Sequence, residues 1–198
     1  MTKPWKIVKP SVFLRSMKAG DVGLTRSKTM FAKLQNFYRK RRKESDILAS
    51  HGFYIHNPPL ISEADGWKVS GKESVSRYFG ADGRKTWIFR YRNLGVGQLQ
   101  RMTSFVDGAQ TSGGVYSWGG IKELALSLLG KRMKDRRGVF CTEYVSGIIN
   151  TGGLPYITEK EEWEITPSYQ LHWFVEKGEA FGWKMIGRIE DGMFLLPL

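Results

Sequence analysis

The residue in this sequence best suited to nucleophilic chemistry is Cys141, its only cysteine. A charged loop (KDRRG) precedes it, and the apolar spacing of VFCTEYVSGIINTGG (139–153) predicts a helix that begins near the thiol. The unpaired N–H groups at a helix start favour a thiolate and can also bind the oxyanion of a tetrahedral intermediate. The alternative is an inert thiol that packs as a small apolar side chain.

A catalytic thiol needs a base, usually an imidazole, and the imidazole needs a polar side chain that orients it. His51 begins the predicted strand HGFYI, and Glu63 lies on the next predicted strand. Neighbouring antiparallel strands can bring two such side chains together, so the spacing permits a Cys141–His51–Glu63 triad. Two other histidines compete as the base: His56, in a turn before Asn-Pro-Pro, and His172, in a predicted strand after the cysteine. Spacing alone leaves this choice open, and each residue alone is also typical of an ordinary structural or solvated side chain.

The elements that must position these residues alternate between helix and strand along a chain of 198 residues, the length of one domain. Hydrophobic periodicity predicts strands at 19–25, 47–57, 60–66 and 85–93, and helices at 28–46, 72–79, 95–113, 121–133 and 139–153. The second and third strands form a hairpin, and TPSYQL, HWFVEKG and GWKMIGRI near the C-terminus are predicted as a turn and one or two strands. Without a βαβ repeat, an α+β fold is expected, with residues 1–18 as an N-terminal lead-in to a single domain at 19–198.

The chain is strongly basic, with 31 Lys and Arg against 19 Asp and Glu and a formal charge of +12. Five consecutive cations follow the amphipathic pattern at 28–38: Arg39, Lys40, Arg41, Arg42 and Lys43. A cationic segment of this kind attracts polyanions, so anionic lipid, an acidic wall polymer or nucleic acid is a candidate partner. A solvated surface loop is the alternative.

Other classes of protein lack support in the sequence. One cysteine and three histidines without HExxH or HxH spacing predict neither a metal site nor any other cofactor. No apolar run approaches the ~20 residues of a membrane span, and the N-terminal residues show no signal peptide, so a protein without a transmembrane segment, located in the cytoplasm, is expected.

Three segments resemble, in order, the circularly permuted branch of the NlpC/P60 papain-like superfamily, the YiiX-like cysteine hydrolases. AGDVGLT (19–25) is similar to the opening strand of that branch, and SHGFYIHNPPLISEADGWKV (50–69) is similar to its Ser-His-Val-Gly-Ile-Tyr strand and the following strand that ends in Glu-Ala. GGVYSWGG (113–120) and VFCTEYVSGIINTGG resemble its Gly-x-x-Tyr loop and Cys-Ser-Glu-Leu-Val helix, and TPSYQL its Thr-Pro segment. The match spans roughly residues 19–170.

The resemblance implies that Cys141 is the nucleophile, His51 the base and Glu63 the third polar residue. It also implies a small antiparallel sheet or barrel packed against helices, in a circularly permuted papain-like fold. Tyr116 matches a tyrosine near the nucleophile that could bind the oxyanion or the substrate, although a packed aromatic ring is the alternative. The sequence departs from the pattern at Thr142, in place of serine, and at Phe53, in place of a small aliphatic residue. The long basic segment 26–47 is a third departure.

The function implied is a cysteine hydrolase that works by acyl transfer on a peptide amide, an ester or a thioester. Two alternatives of other classes remain open at this stage. One is a basic binding module for nucleic acid or an anionic surface, and the other is a catalytically inactive papain-like domain that serves as an interaction module.

Overall fold

The protein combines α-helices with an antiparallel β-sheet in the computed structural model, which describes residues 4–26, 49–65, 68–79, 84–112, 141–159 and 165–198. The strands are β1 (Trp5–Val8), β2 (Val22–Arg26), β3 (His51–Asn57), β4 (Leu60–Asp65), β5 (Lys68–Ser74), β6 (Lys85–Tyr91), β7 (Trp183–Glu190) and β8 (Met193–Pro197). Within the same ranges the α-helices are α1 (Pro10–Ser16), α2 (Val96–Thr111), α3 (Cys141–Gly152) and α4 (Pro167–Glu176). The α+β prediction is therefore confirmed.

The eight strands form one sheet in the order β1-β8-β7-β6-β2-β3-β4-β5, and every neighbouring pair is antiparallel. The sheet is open, with β1 and β5 at its edges, so the barrel offered as an alternative in the sequence analysis does not form. The central strand β2 pairs with β6 on one side and with β3 on the other. This pairing sets Thr25 opposite His51.

Both faces of the sheet are covered by apolar side chains, because successive residues of a strand point to opposite faces. Tyr54 belongs to the core under α2, α3 and α4, whereas its neighbours Phe53 and Ile55 belong to the core on the other face, together with residues of α1. Burial on both faces explains why β3 has a continuous apolar run rather than strict alternation.

The β3–β4 hairpin, β6, α2 and α3 confirm the corresponding sequence predictions. Two predictions differ from the structure. In 72–79, predicted as a helix, β5 continues to Ser74 and a 3-10 turn covers Val75–Tyr78. The segment from TPSYQL to HWFVE is helix α4 rather than a turn and a strand, because Thr166 caps its first turn by accepting the Tyr169 N–H at 3.1 Å and Pro167 occupies its first turn.

Within the segment predicted as a lead-in, 1–18, the described residues form a strand and a helix. Strand β1 pairs with β8 from Trp5↔Pro197 to Val8↔Phe194, and Phe13 of α1 is buried in the second core. Pro10 opens a helix here instead of breaking one, because its missing N–H has no role in a first helical turn. The helices predicted at 28–46 and 121–133 lie outside the described residues.

The motif AGDVGLT places a buried carboxylate at the start of β2. Asp21 is 1% exposed, and Arg90 of β6 donates two hydrogen bonds of 2.7 Å to its carboxylate, from Nε to Oδ1 and from Nη2 to Oδ2. Burial raises the pKa of Asp21, and the hydrogen bond and charge of Arg90 offset this only in part. The pair ties the start of β2 to β6, and so fixes the strand against which β3 aligns.

Two residues later, Gly23 makes room for a ring on β3. A β-carbon at Gly23 would overlap the ring of Phe53, its partner across the strands. The large residue at position 53, one of the departures from the family pattern, is therefore accommodated by a glycine on the neighbouring strand.

Among the described helices, none has both the length and the apolar character that a membrane crossing requires.

Candidate active site

His51 and Glu63 meet across the β3–β4 hairpin. The His51 Nε2 atom lies 2.8 Å from Glu63 Oε2. The Glu63 side chain is fully buried, and the imidazole is 15% exposed. The hairpin therefore orients the imidazole through one of its nitrogens and leaves the other nitrogen to a third group.

That third group is the thiol of Cys141. Cys141 is the first residue of α3, which packs against β3 and β4, and its side chain lies close enough to the His51 ring to shift the pKa of that ring. Because Nε2 is engaged by Glu63, Nδ1 is the ring nitrogen available to the thiol. Burial by itself lowers the pKa of His51, but the charge and hydrogen bond of Cys141, with those of Glu63, raise it to about 10. The arrangement favours the positively charged imidazolium form of His51 at neutral pH.

Hydroxyl groups also link helix α3 to β4, on the face of that strand opposite to Glu63. Tyr144 Oη lies 2.7 Å from Ser62 Oγ, and Gln110 of α2 donates to the same Ser62 oxygen at 3.1 Å. Tyr144 and Ser62 are both buried. Since Tyr144 lies almost one turn after Cys141 and Ser62 precedes Glu63, this network fixes the start of the helix relative to the strand that carries the carboxylate.

Two further residues contact Glu63, and the sequence analysis did not identify either of them. Arg77 Nη1 lies 2.5 Å from Glu63 Oε1, and the Tyr78 hydroxyl donates to Glu63 Oε2. Burial raises the pKa of Glu63, but the hydrogen bonds of His51 and Tyr78 and the charges of His51 and Arg77 lower it overall. No sequence pattern pointed to this pair.

The competing bases have other partners. His172 lies on α4, where its Nε2 atom is 2.8 Å from Glu176 on the next turn of the same helix. The Nε2 atom of His56 is 3.6 Å from Asp107 of α2. Of the three histidines, the structure thus places His51 with the thiol.

The remaining predicted site residues cannot be placed in the same way. Tyr116 and the basic run Arg39–Lys43 lie outside the described residues. Thr142, beside Cys141, is fully buried, and its hydroxyl has no hydrogen-bond partner among the described residues. Across the described ranges, no cluster of three His, Cys, Asp or Glu side chains could hold a metal ion.

Comparisons with known proteins add no relative to this picture. No protein-family model matches the chain, and no match was found among the curated proteins. Functional assignment therefore depends on the geometry of Cys141, His51 and Glu63.

Proposed function

We propose that this protein is a cysteine hydrolase in which Cys141, His51 and Glu63 form a catalytic triad. The observation that carries the proposal is the position of the His51 ring, which bridges a buried carboxylate and a thiol at a helix start. An imidazole with a structural role needs only a hydrogen-bond partner for each ring nitrogen. A thiol at one nitrogen and a carboxylate at the other is the combination that activates a nucleophile.

The mechanism is acyl transfer through a thioester. The Cys141 thiolate attacks the carbonyl carbon of the substrate, and N–H groups of the first turn of α3 would stabilise the oxyanion. The tetrahedral intermediate collapses as His51 donates its proton to the leaving nitrogen, oxygen or sulfur atom. His51 then takes a proton from water, the water oxygen attacks the thioester, and the thiolate leaves, so that the ion pair is restored.

The order of the three residues along the chain supports a circularly permuted papain-like fold. The strands that carry His51 and Glu63 precede the helix that carries Cys141, and this helix packs on those strands. The resemblance described above implies the same order. The scissile bond is a peptide amide, an ester or a thioester, and a panel of all three separates them.

We expect an acyl group to accumulate on Cys141 when the protein is mixed with activated esters, acyl thioesters and peptide amides. Intact mass followed by peptide mapping would locate the adduct. His51→Ala should slow acylation by about 100-fold or more, because the leaving group then lacks its general acid.

The matched control for His51→Ala is His172→Ala, since His172 is a half-exposed histidine paired with Glu176. It should acylate at the wild-type rate. Loss of acylation in His172→Ala with retention in His51→Ala would contradict the triad. No adduct with any of the three bond types would favour the inactive interaction domain.

The net charge of +12 favours a second function, the binding of a polyanionic substrate or surface. The described residues on either side of the basic segment, Arg26 and Ala49, lie at the end of β2 and just before His51. A polyanion held by the run Arg39–Lys43 would therefore be attached to the chain only eight residues before His51 in the sequence.

Replacing the five basic residues of this run with Gln should weaken binding to anionic vesicles and oligonucleotides. Each cation that contacts a polyanion releases counterions, so wild-type affinity should fall steeply with salt and the variant should show a shallower slope. Titrations at two salt concentrations measure both quantities. Equal slopes for the two proteins would show that the run is only surface charge.

A further inference from the structure

The carboxylate of Glu63 is enclosed by donors on both of its oxygens. Oε1 accepts a hydrogen bond from Arg77, and Oε2 is hydrogen bonded to both His51 and the Tyr78 hydroxyl. Glu63 itself has no exposed surface. A buried carboxylate without such partners would take up a proton and lose its ability to hold an imidazolium.

The 3-10 turn that supplies Arg77 and Tyr78 is itself firmly attached. Its start is capped by Ser74, whose Oγ accepts the Ser76 N–H at 3.3 Å and the Ser76 hydroxyl at 2.8 Å. Val75 is buried, and its N–H donates to Pro59 O at 2.9 Å. The turn is therefore held to the tip of the β3–β4 hairpin, the same hairpin that carries His51 and Glu63.

The ring of Tyr78 is fixed by stacking. It lies on the Phe53 ring with a centroid distance of 4.8 Å and an interplanar angle of 7°. The Phe53 ring in turn occupies the space above Gly23. Because both rings are buried, the phenolic hydroxyl has little freedom to leave the carboxylate.

We propose that Tyr78 and Arg77 are positioning residues of the triad, which hold Glu63 as a carboxylate in the one orientation that directs His51 at Cys141. This inference rests on the proposed function, in which Cys141 and His51 are the reacting groups. Tyr78 and Arg77 act only through Glu63 and do not contact the substrate.

The charged groups around this carboxylate lie on four of the described elements, one of which is the 3-10 turn that carries Arg77. His51 faces it from β3, and through the imidazole it is coupled to the thiol of Cys141 on α3. On β5, the half-exposed Glu73 lies 3.9 Å from the same Nη1 atom of Arg77. Arg77 therefore divides its charge between two carboxylates, whereas Tyr78 makes an uncharged contact with one of them. Tyr78→Phe is accordingly the cleaner substitution.

The direct test is the NMR titration of Glu63 in protein labelled with carbon-13 at the Glu side-chain carboxyl. The signal that disappears in Glu63→Gln identifies the residue. Tyr78→Phe keeps the ring stacked on Phe53 and removes only the donor, so the proton affinity of Glu63 should rise about tenfold. Arg77→Gln, at an exposed position where the fold is expected to tolerate the change, should raise it by at least as much.

The matched control is Tyr169→Phe, which removes a hydroxyl that donates to the exposed carboxylate of Glu159 at 3.1 Å. It should leave the titration of Glu63 unchanged. If neither Tyr78→Phe nor Arg77→Gln changes that titration, the proposal is overturned.

The second readout is alkylation of Cys141 by a small neutral reagent, with each rate expressed relative to the plateau rate of the same variant at high pH. At neutral pH, the relative alkylation rates of Tyr78→Phe and Arg77→Gln should lie between those of wild type and Glu63→Gln. A wild-type alkylation profile in both variants, despite a changed Glu63 titration, would overturn the positioning role. Failure of the proposed function would be seen separately, as the absence of an acyl adduct on wild-type Cys141.

Discussion

Alkylation of Cys141 at neutral pH should be faster in the wild-type protein than in His51→Ala. The reason is the neighbouring His51, whose pKa is raised to about 10 because Cys141 and Glu63 outweigh the lowering effect of burial. The imidazolium is therefore present across the neutral range, and it stabilises the thiolate beside it. Rates measured with a small neutral reagent across a range of pH values, for both proteins, test this expectation.

His51→Ala removes this cation and leaves a thiol that is only 3% exposed, so alkylation near neutral pH should slow. At about pH 6 the share of its own plateau rate that the variant keeps should be at least about tenfold smaller than the share that wild type keeps. Comparison with each plateau is necessary because a thiolate of low basicity is also a weaker nucleophile. Identical profiles for the two proteins would exclude an activated thiol, and His172→Ala should match wild type.

Arg90→Met should lower the free energy of unfolding by roughly 3 kcal/mol at neutral pH, because it leaves the carboxylate of Asp21 buried without its partner. Chemical denaturation measures the loss. In the variant the pKa of Asp21 should rise further, since burial is then opposed by fewer groups. A raised pKa means that the folded state binds the proton more readily, so the deficit should shrink as the pH falls through that pKa.

The control for this change is Arg92→Met, which breaks the ion pair between Arg92 and Glu179 at the surface. Both of those side chains are well exposed, so the loss should stay below about 1 kcal/mol. The double variant Asp21→Asn with Arg90→Met should recover part of the stability lost by Arg90→Met alone. Equal losses for Arg90→Met and Arg92→Met would show that the buried pair is not what holds β2 to β6.

The elements that carry the candidate triad follow from local patterns in the sequence. The β-rich runs around His51 and Glu63 predict the hairpin, and the apolar spacing after Cys141 predicts α3, because each pattern reflects the surface that one element buries. The order of these motifs, together with the resemblance, selects His51 over the two other histidines. The structure then adds the contacts between them.

Other parts of the site depend on contacts between distant segments, which local patterns do not report. Arg77 and Tyr78 reach Glu63 because β5 pairs with β4 and is followed by the 3-10 turn that carries both residues. Helix α4 was missed for a different reason. Its aromatic residues resemble a strand, and only the cap at Thr166 and the proline after it indicate a helix.

The candidate site is assembled from parts that form at different distances along the chain, and this has a consequence for folding. His51 and Glu63 are 12 residues apart within one hairpin, whereas the link between Ser62 and Tyr144 that seats α3 spans 82 residues. Contacts of high sequence separation cost more loop entropy and form late. The imidazole and the carboxylate should therefore pair early during refolding, and the thiol should gain its reactivity only when α3 docks. Since the chain has a single cysteine, pulses of a thiol reagent during refolding would time that docking step without any added label.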